Sequence, residues 1–194
     1  MTSENKPHVW MIAISDNPIS MYYRKEVLPS WVNHGFKVNH FEAVTPRNMP
    51  DFLPFYMKRK QRPFTETEKA VWYSHYALWS KCWETKTPLI VVEHDIRLLS
   101  PLEDEIFENR IACLSHDCRP RRPGNEPEEL KLAGGAYYIT PDISRKLMRI
   151  RHDKRINHNS DAWIHKVCDE NGKWYKHKCR QFKNPKVGAT IEHN

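Results

Sequence analysis

The stretch that most constrains this chain is Pro88 to Asp95, an apolar run that ends abruptly in charged residues. A short run that opens at a proline and is rich in β-branched residues predicts a strand buried on both faces of a sheet. Its last residues, Glu93, His94 and Asp95, should lie at the carboxyl edge of that sheet, where open α/β sheets bind ligands. Because side chains alternate along extended backbone, Glu93 and Asp95 are expected on one side and His94 on the other.

The two carboxylates at this strand end have two interpretations. Converging carboxylates could hold a hard divalent cation, since such cations take oxygen ligands. Alternatively, the strand simply ends at polar residues that meet water. The local sequence does not choose between these interpretations, so the choice depends on the other motifs of the chain.

Length and composition indicate a globular protein. The chain has 194 residues and seven tryptophans, and 39% of its residues are hydrophobic, which favours one domain over residues 1–194. No apolar run is long enough to span a membrane, and the polar N-terminus shows no signal peptide, so a cytoplasmic protein is expected. Five cysteines without a CxxC pair indicate reduced thiols rather than a zinc site. The sequence does not indicate an oligomeric state.

The formal net charge of +7 favours anionic partners such as nucleotides, nucleic acids or acidic glycans. Basic residues cluster at 58–62 and 119–122, and the segment 173–183 interleaves basic with aromatic residues. These features favour a polyanionic partner. A solvated surface is the alternative for each cluster.

Alternating strand and helix patterns predict an α/β fold with a mostly parallel central sheet flanked by helices. A strand at 8–14, a helix at 19–34 and a strand at 37–43 form an opening βαβ unit. Thr65 and Glu68 form a capping box that begins a helix running to about Lys86. Further strands are expected at 111–115 and 130–140, and helices at 141–150 and 160–171.

Four segments, taken in their order along the chain, carry a family resemblance. They are the βαβ segment 9–44, the capped helix with Ser74-His75, the strand 89–96, and the segment 134–140 that Asp161 follows. Together they resemble glycosyltransferase family 25, which contains lipo-oligosaccharide and collagen sugar transferases. The family's acidic "EDD" strand end is Glu93-His94-Asp95 here, so an imidazole replaces the central acid.

This resemblance implies a GT-A-like fold, a nucleotide-sugar donor such as a UDP-sugar, and a Mn²⁺ or Mg²⁺ cofactor. The chemistry agrees, because a cation held by carboxylates neutralises the leaving pyrophosphate. The acceptor hydroxyl is a poor nucleophile and needs a general base. Inversion at the anomeric carbon is expected from one direct displacement.

The resemblance also implies roles for individual residues. Asp95 and Glu93 are expected metal ligands, His193 a C-terminal third ligand, and Asp161 the catalytic base beside Asp95. The expected donor-binding residues are Ile14, Ser15, Arg24, Ser74, His75, Glu93, Gly134 and Gly135. Four of these assignments have an alternative. Asp161 could be a first-turn acid that favours the helix dipole, and His75 could be a core histidine. Arg24 could be a solvated cation, and the glycine pair could form a β-bulge.

The sequence leaves the acceptor open. One candidate is a saccharide, as in lipopolysaccharide biosynthesis, and the other is a hydroxylated DNA base, as modified by phage-encoded transferases in the host cytoplasm. A duplex base would have to be flipped out of the stack to react. A third interpretation is a non-catalytic member that binds nucleic acid or glycans, with His94 marking a lost metal site.

Overall fold

The computed structural model describes residues 6–50, 63–115, 117–119, 128–130, 135–149, 160–184 and 186–187. Nine strands and five helices occur in these ranges. The strands are β1 (His8–Ala13), β2 (Val38–Glu42), β3 (Leu89–Glu93), β4 (Ile96–Leu98), β5 (Ile111–Ser115), β6 (Asp117–Arg119), β7 (Glu128–Leu130), β8 (Ala136–Ile139) and β9 (Lys173–Gln181). The helices are α1 (Pro18–Val32), α2 (Glu66–Thr85), α3 (Asp104–Phe107), α4 (Pro141–Met148) and α5 (Ser160–Asn171).

Seven strands form the central sheet in the order β2-β1-β3-β8-β5-β9-β4, and β6 pairs with β7 separately. β1 is parallel to both β2 and β3, and β5 is parallel to β9. β8 runs antiparallel to both β3 and β5, and β4 runs antiparallel to β9. The prediction of an α/β fold is therefore confirmed, whereas the expectation of a mostly parallel sheet is wrong. The sheet is mixed because β8, between β3 and β5, and β4, beside β9, run opposite to their neighbours.

Helices cover both faces of the sheet, and β3 shows how the sequence produces this arrangement. Leu89 and Val91 pack with residues of α2, α4 and α5, while Ile90 and Val92 pack with residues of α1 and α3. All four side chains are buried. A continuous apolar run is therefore required at this position, because both faces of the strand are covered.

Local signals fix the helix that leads into β3. The Thr65 side chain accepts from the backbone N–H of Glu68, whose carboxylate accepts from the N–H of Thr65, as the capping box predicts. The helix ends at Thr85, and Lys86 adopts the left-handed conformation with φ of 54°. Gly35 likewise has a positive φ of 79° just after α1, which agrees with its expected place at the helix end.

The C-terminal segment is part of the sheet. β9 pairs with β4 and β5, and Trp174, Tyr175 and Phe182 pack against the two core clusters. The three rings are only partly buried there, so the interpretation of this segment as an aromatic surface for a polyanion stays a prediction. Among the helices that the structure describes, none is long and apolar enough to cross a bilayer.

Candidate active site

The carboxyl ends of β1, β2 and β3 meet at one edge of the sheet, because the three strands are parallel. Ile12 of β1 is opposite Glu93 of β3, and the next residue, Ala13, is opposite Glu42 of β2. Two carboxylates therefore flank the end of β1. This edge is the position at which α/β sheets bind their ligands.

Glu93 turns toward helix α2. Its Oε1 lies 3.8 Å from Nε2 of His75, which is 1% exposed, whereas the Glu93 side chain is 34% exposed. Burial raises the pKa of Glu93, but the interaction with His75 and the charge of His94 outweigh it and hold the pKa below its usual value. Glu93 is therefore an ionised carboxylate in contact with solvent on one side and with the protein on the other.

Behind His75, a buried hydrogen-bonded chain continues into the core. Nδ1 of His75 lies 2.8 Å from the hydroxyl of Tyr137, which also accepts from Nε1 of Trp79 at 2.9 Å. Burial raises the pKa of Tyr137 well above its ordinary value, so the phenol stays neutral. The polar groups of this chain are satisfied by one another, as buried polar groups require.

Asp161, in the first turn of α5, lies in the electrostatic field of the same group. Burial and the Glu93 charge raise the pKa of Asp161 to about 6, while His75 acts in the opposite direction. The Asp161 charge also raises the pKa of Tyr137. Residues from α2, β3, β8 and α5 are thus brought together, although they are far apart in the sequence.

Asp95 follows β3 in a turn and is held by the end of β9. Nε2 of Gln181 donates to Oδ2 of Asp95 at 2.7 Å, and the N–H of Phe182 donates to the Asp95 carbonyl at 2.7 Å. Oδ1 of Asp95 is buried and has no hydrogen-bond partner among the described residues. Burial and the Glu93 charge raise the pKa of Asp95, against the effects of His94 and Gln181. An unpartnered buried carboxylate oxygen beside a second carboxylate fits a cation.

Comparison of the sequence with models of protein families identifies the family of this chain. The model of glycosyltransferase family 25, described as an LPS biosynthesis protein, matches residues 20–117, about half of the chain. The chain belongs to glycosyltransferase family 25. Its activity is glycosyl transfer, and the sequence-based assignment is confirmed.

Solved structures give weaker similarities to this glycosyltransferase. A glycosyltransferase involved in the glycosylation of the major capsid of PBCV-1 is 10% identical, with 87% of this chain and 81% of that chain covered and a TM-score of 0.45. Mouse xyloside xylosyltransferase 1 is 11% identical, with 86% and 77% covered and a TM-score of 0.41. A putative glucose-1-phosphate thymidylyltransferase from Bacillus anthracis is 7% identical, with 88% and 86% covered and a TM-score of 0.41. No curated protein matches the chain. The assignment rests on the family match.

His94, where the glycosyltransferase departs from the family's acidic strand end, lies on the other face of the sheet from His75. Its ring centroid is 6.2 Å from that of Tyr23 on α1, and Tyr23 also contacts Phe182. The predicted alternation thus separates His94 from Glu93. The positive charge that His94 can carry still acts on both neighbouring carboxylates.

The predicted donor residues at the end of β1 are held by protein contacts. The Ser15 hydroxyl donates to Oε2 of Glu42, and its backbone N–H donates to Oε1 at 3.0 Å. The N–H of Ile14 donates to the Ser20 hydroxyl at 2.9 Å. Burial raises the pKa of Glu42, but the Ser15 hydrogen bonds and His40 lower it overall. Donor contacts of Ile14 and Ser15 stay predictions, and Glu42 is an acid at this edge that sequence reasoning missed.

Ser74 and Arg24 occupy different environments. Ser74 is buried; its hydroxyl donates to the Ala70 carbonyl at 3.0 Å and accepts from the Val44 N–H at 2.9 Å. These bonds give Ser74 a structural role that joins α2 to the segment after β2. Nε of Arg24 is buried without a partner among the described residues. Donor contacts of both residues stay predictions.

Gly135 lies beside Glu93, since its carbonyl accepts from the Glu93 N–H at 2.9 Å. A Cβ at this position would lie 3.0 Å from Cδ1 of Ile96 and 3.1 Å from Oγ of Ser115. Packing therefore explains why a glycine occupies this position. A contact between Gly135 and the donor stays a prediction. Gly134 and His193 lie outside the described residues. Within the described ranges, no group of three or more His, Cys, Asp or Glu side chains could hold a metal ion.

Proposed function

We propose that this glycosyltransferase moves a sugar from a nucleotide-sugar donor, such as a UDP-sugar, to a hydroxyl acceptor at the carboxyl edge of β1 and β3. The observation that carries the proposal is the convergence of Glu93, Asp95, His75 and Asp161 at that edge. These groups come from three different elements, and the pKa values of the three carboxyl groups are shifted by charges within the group. Such perturbation at a ligand-binding edge is typical of a functional site.

Asp161 is the proposed general base. A carboxyl group with a pKa of about 6 is ionised at neutral pH and is more basic than an ordinary aspartate, which suits proton abstraction. The acceptor oxygen would form a bond to the anomeric carbon while its proton passes to Asp161. The bond from that carbon to the diphosphate oxygen would break, and the nucleoside diphosphate would leave. This single displacement inverts the anomeric centre.

Asp95 and Glu93 are the residues that would hold Mn²⁺ or Mg²⁺. The unpartnered Oδ1 of Asp95 and the ionised state of Glu93 support this assignment. Two carboxylates suffice when substrate phosphates complete the coordination, as they often do for Mg²⁺. When bound, the cation would neutralise charge on the leaving diphosphate. His193 stays a candidate for an additional ligand.

The donor nucleotide is proposed to lie along the end of β1, with Arg24 available to a phosphate. A guanidinium pairs well with phosphate oxygens, and Nε of Arg24 is a buried donor without a described partner. Ser15 would have to exchange its bonds to Glu42 for bonds to the donor, or it would act only by positioning Glu42.

A saccharide is the acceptor that we favour. The family model is described as an LPS biosynthesis protein, and the partial burial of Trp174 and Tyr175 against the core leaves less of their rings for stacking on DNA bases. The basic cluster at 58–62 and residues 120–122 of the cluster at 119–122 lie outside the described residues. The net charge of +7 agrees with an acidic glycan as well as with DNA. Binding to duplex DNA that weakens steeply with salt would favour the DNA acceptor instead.

A donor screen by thermal shift tests the proposal. Each common nucleotide-sugar is added with Mn²⁺, with Mg²⁺ or with EDTA, and the melting temperature is compared with that of the free protein. Binding to the native state raises the melting temperature. We expect one nucleotide class to do so, more strongly with a cation. No shift with any donor, together with no release of nucleoside diphosphate, would refute the proposal.

A further inference from the structure

We infer that Tyr137 is a positioning residue for Glu93. Its hydroxyl, held by Trp79, donates to Nδ1 of His75 and thereby directs the Nε2–H of His75 at the Glu93 carboxylate. The inference rests on the proposed role of Glu93 in the donor site. It adds two buried residues, Tyr137 and Trp79, to the residues that shape that site.

The direction of the hydrogen bonds follows from what each group can donate. An indole nitrogen only donates, so the bond of 2.9 Å from Nε1 of Trp79 uses the Tyr137 oxygen as an acceptor. The phenol proton then needs an acceptor of its own. Nδ1 of His75, at 2.8 Å, is the remaining polar partner of this hydroxyl among the described residues.

The tautomer of His75 is fixed by this arrangement. If Nδ1 carried a proton, it would donate to Tyr137, and the buried phenol proton would have no acceptor among the described residues. An unmade hydrogen bond of a buried donor is costly. Nδ1 is therefore the acceptor, and Nε2 carries the proton. That N–H faces Oε1 of Glu93 across 3.8 Å.

The hydrogen-bonded side chains of His75, Trp79 and Tyr137 are held in place by the surrounding core. His75 and Trp79 lie one turn apart on α2, and His75, Trp79 and Tyr137 are all essentially unexposed. The rings of His75 and Tyr137 lie 5.8 Å apart and are inclined by 32°. A neutral phenol is maintained because burial raises its pKa well above the ordinary value. Second-layer partners of this kind hold a ligating carboxylate or imidazole in one orientation.

The experiment compares Tyr137→Phe with Tyr138→Phe. Tyr138 is the neighbouring residue on β8, is equally buried, and donates its hydroxyl to the Phe107 carbonyl at 3.3 Å in the opposite core cluster. Tyr138→Phe loses this one hydrogen bond outside the site, whereas Tyr137→Phe loses the hydrogen bonds to His75 and from Trp79. The readouts are the ¹⁵N chemical shifts of the His75 imidazole, measured in EDTA, and the kcat for donor turnover.

In the native protein we expect the ¹⁵N shifts of an unprotonated Nδ1 and a protonated Nε2. Tyr137→Phe should change the Nδ1 shift, because the phenol hydrogen bond is lost, and should lower kcat about tenfold. Tyr138→Phe should leave both readouts unchanged. A proton on Nδ1 in the native protein, or unchanged turnover in Tyr137→Phe, would overturn the inference. If the native protein shows the Nε2–H tautomer but turns over no donor, the proposed function is refuted. The hydrogen-bond assignment would still hold in that case.

Discussion

Nε2 of His75, in the middle of α2, lies 3.8 Å from Oε1 of Glu93, the last residue of β3. The contact places a fully buried imidazole beside a partly exposed carboxylate at the end of the strand. Burial, His75 and Glu93 together set the pKa of Asp161. The residues that we propose for catalysis thus share one electrostatic environment.

Asp161→Asn should abolish most of the transferase activity. The amide keeps the size and polarity of the side chain but cannot accept the acceptor proton, so we expect kcat to fall by about 100-fold or more. Release of nucleoside diphosphate in the presence of a saccharide acceptor is the measurement.

Asp142→Asn is the matched control for Asp161. Asp142 is also an acid in the first turn of a helix, α4, where it pairs with Arg110. Its amide variant loses a comparable interaction with the helix dipole but should keep its kcat. If both substitutions change kcat equally, Asp161 is not the general base and acts only as a first-turn acid of its helix.

The stability of the protein should depend on pH through Asp161. Its pKa of about 6 in the folded protein lies above the ordinary value of 3.8, so folding favours its protonated form. Above pH 6 the ionised carboxyl costs stability, and this cost disappears as the pH falls toward 4. In EDTA, Asp161→Asn should therefore be more stable than the native protein at pH 8, by about 1–2 kcal/mol. Urea unfolding at both pH values measures the difference, and a constant difference across this range would contradict the raised pKa.

Gln181→Met should weaken cation binding. Gln181 donates to Oδ2 of Asp95, and methionine has a similar volume without the donor. We expect the affinity for Mn²⁺ in the presence of donor to fall about tenfold, because partners of a ligating carboxylate orient it. Titration calorimetry measures the affinity. The neighbouring exposed residue serves as the control in Arg180→Met, which should leave the affinity unchanged; loss of affinity in both variants would point to a general disturbance of β9.

Gly135→Ala should destabilise the fold by about 1–3 kcal/mol, because the added methyl group meets Ile96 and Ser115 at 3.0 and 3.1 Å. Ile96→Val removes the nearest of these atoms. Urea unfolding of the two single variants and the double variant gives the coupling between the positions. We expect Ile96→Val to cost less in the Gly135→Ala background than in the native one. Strictly additive costs would show that the methyl group is accommodated elsewhere.

Local signals in the sequence predicted the elements that depend on neighbouring residues. The capping box at Thr65 and Glu68 placed the start of α2 to the residue, because its hydrogen bonds join residues three apart. The apolar run before Glu93 predicted a strand covered on both faces. Alternation along that strand separated Glu93 from His94, as the structure has it.

Long-range pairing is what the sequence did not reveal. β8 lies antiparallel between β3 and β5, and nothing in its own residues specifies that direction. Gln181 was not predicted as a partner of Asp95, because β9 reaches the site only through pairing with β4 and β5. Tyr137 was missed for the same reason, since its hydroxyl meets His75 and Trp79 only after β8 packs on α2. The adjacent aromatic residues Trp174 and Tyr175, a residue type that strands favour, were a signal that could have placed β9 in the sheet.

The most direct test of the account is donor turnover by Asp95→Asn. Release of nucleoside diphosphate from a nucleotide-sugar is measured for the native protein and for this variant, each in Mn²⁺ and in EDTA, with Asp142→Asn as a folded control. We predict turnover by the native protein and by Asp142→Asn that requires Mn²⁺, and a loss of about 100-fold or more in Asp95→Asn with its fold retained. Native turnover that is equal in EDTA and Mn²⁺, or full activity in Asp95→Asn, would contradict the assignment of the cation and donor site to the end of β3.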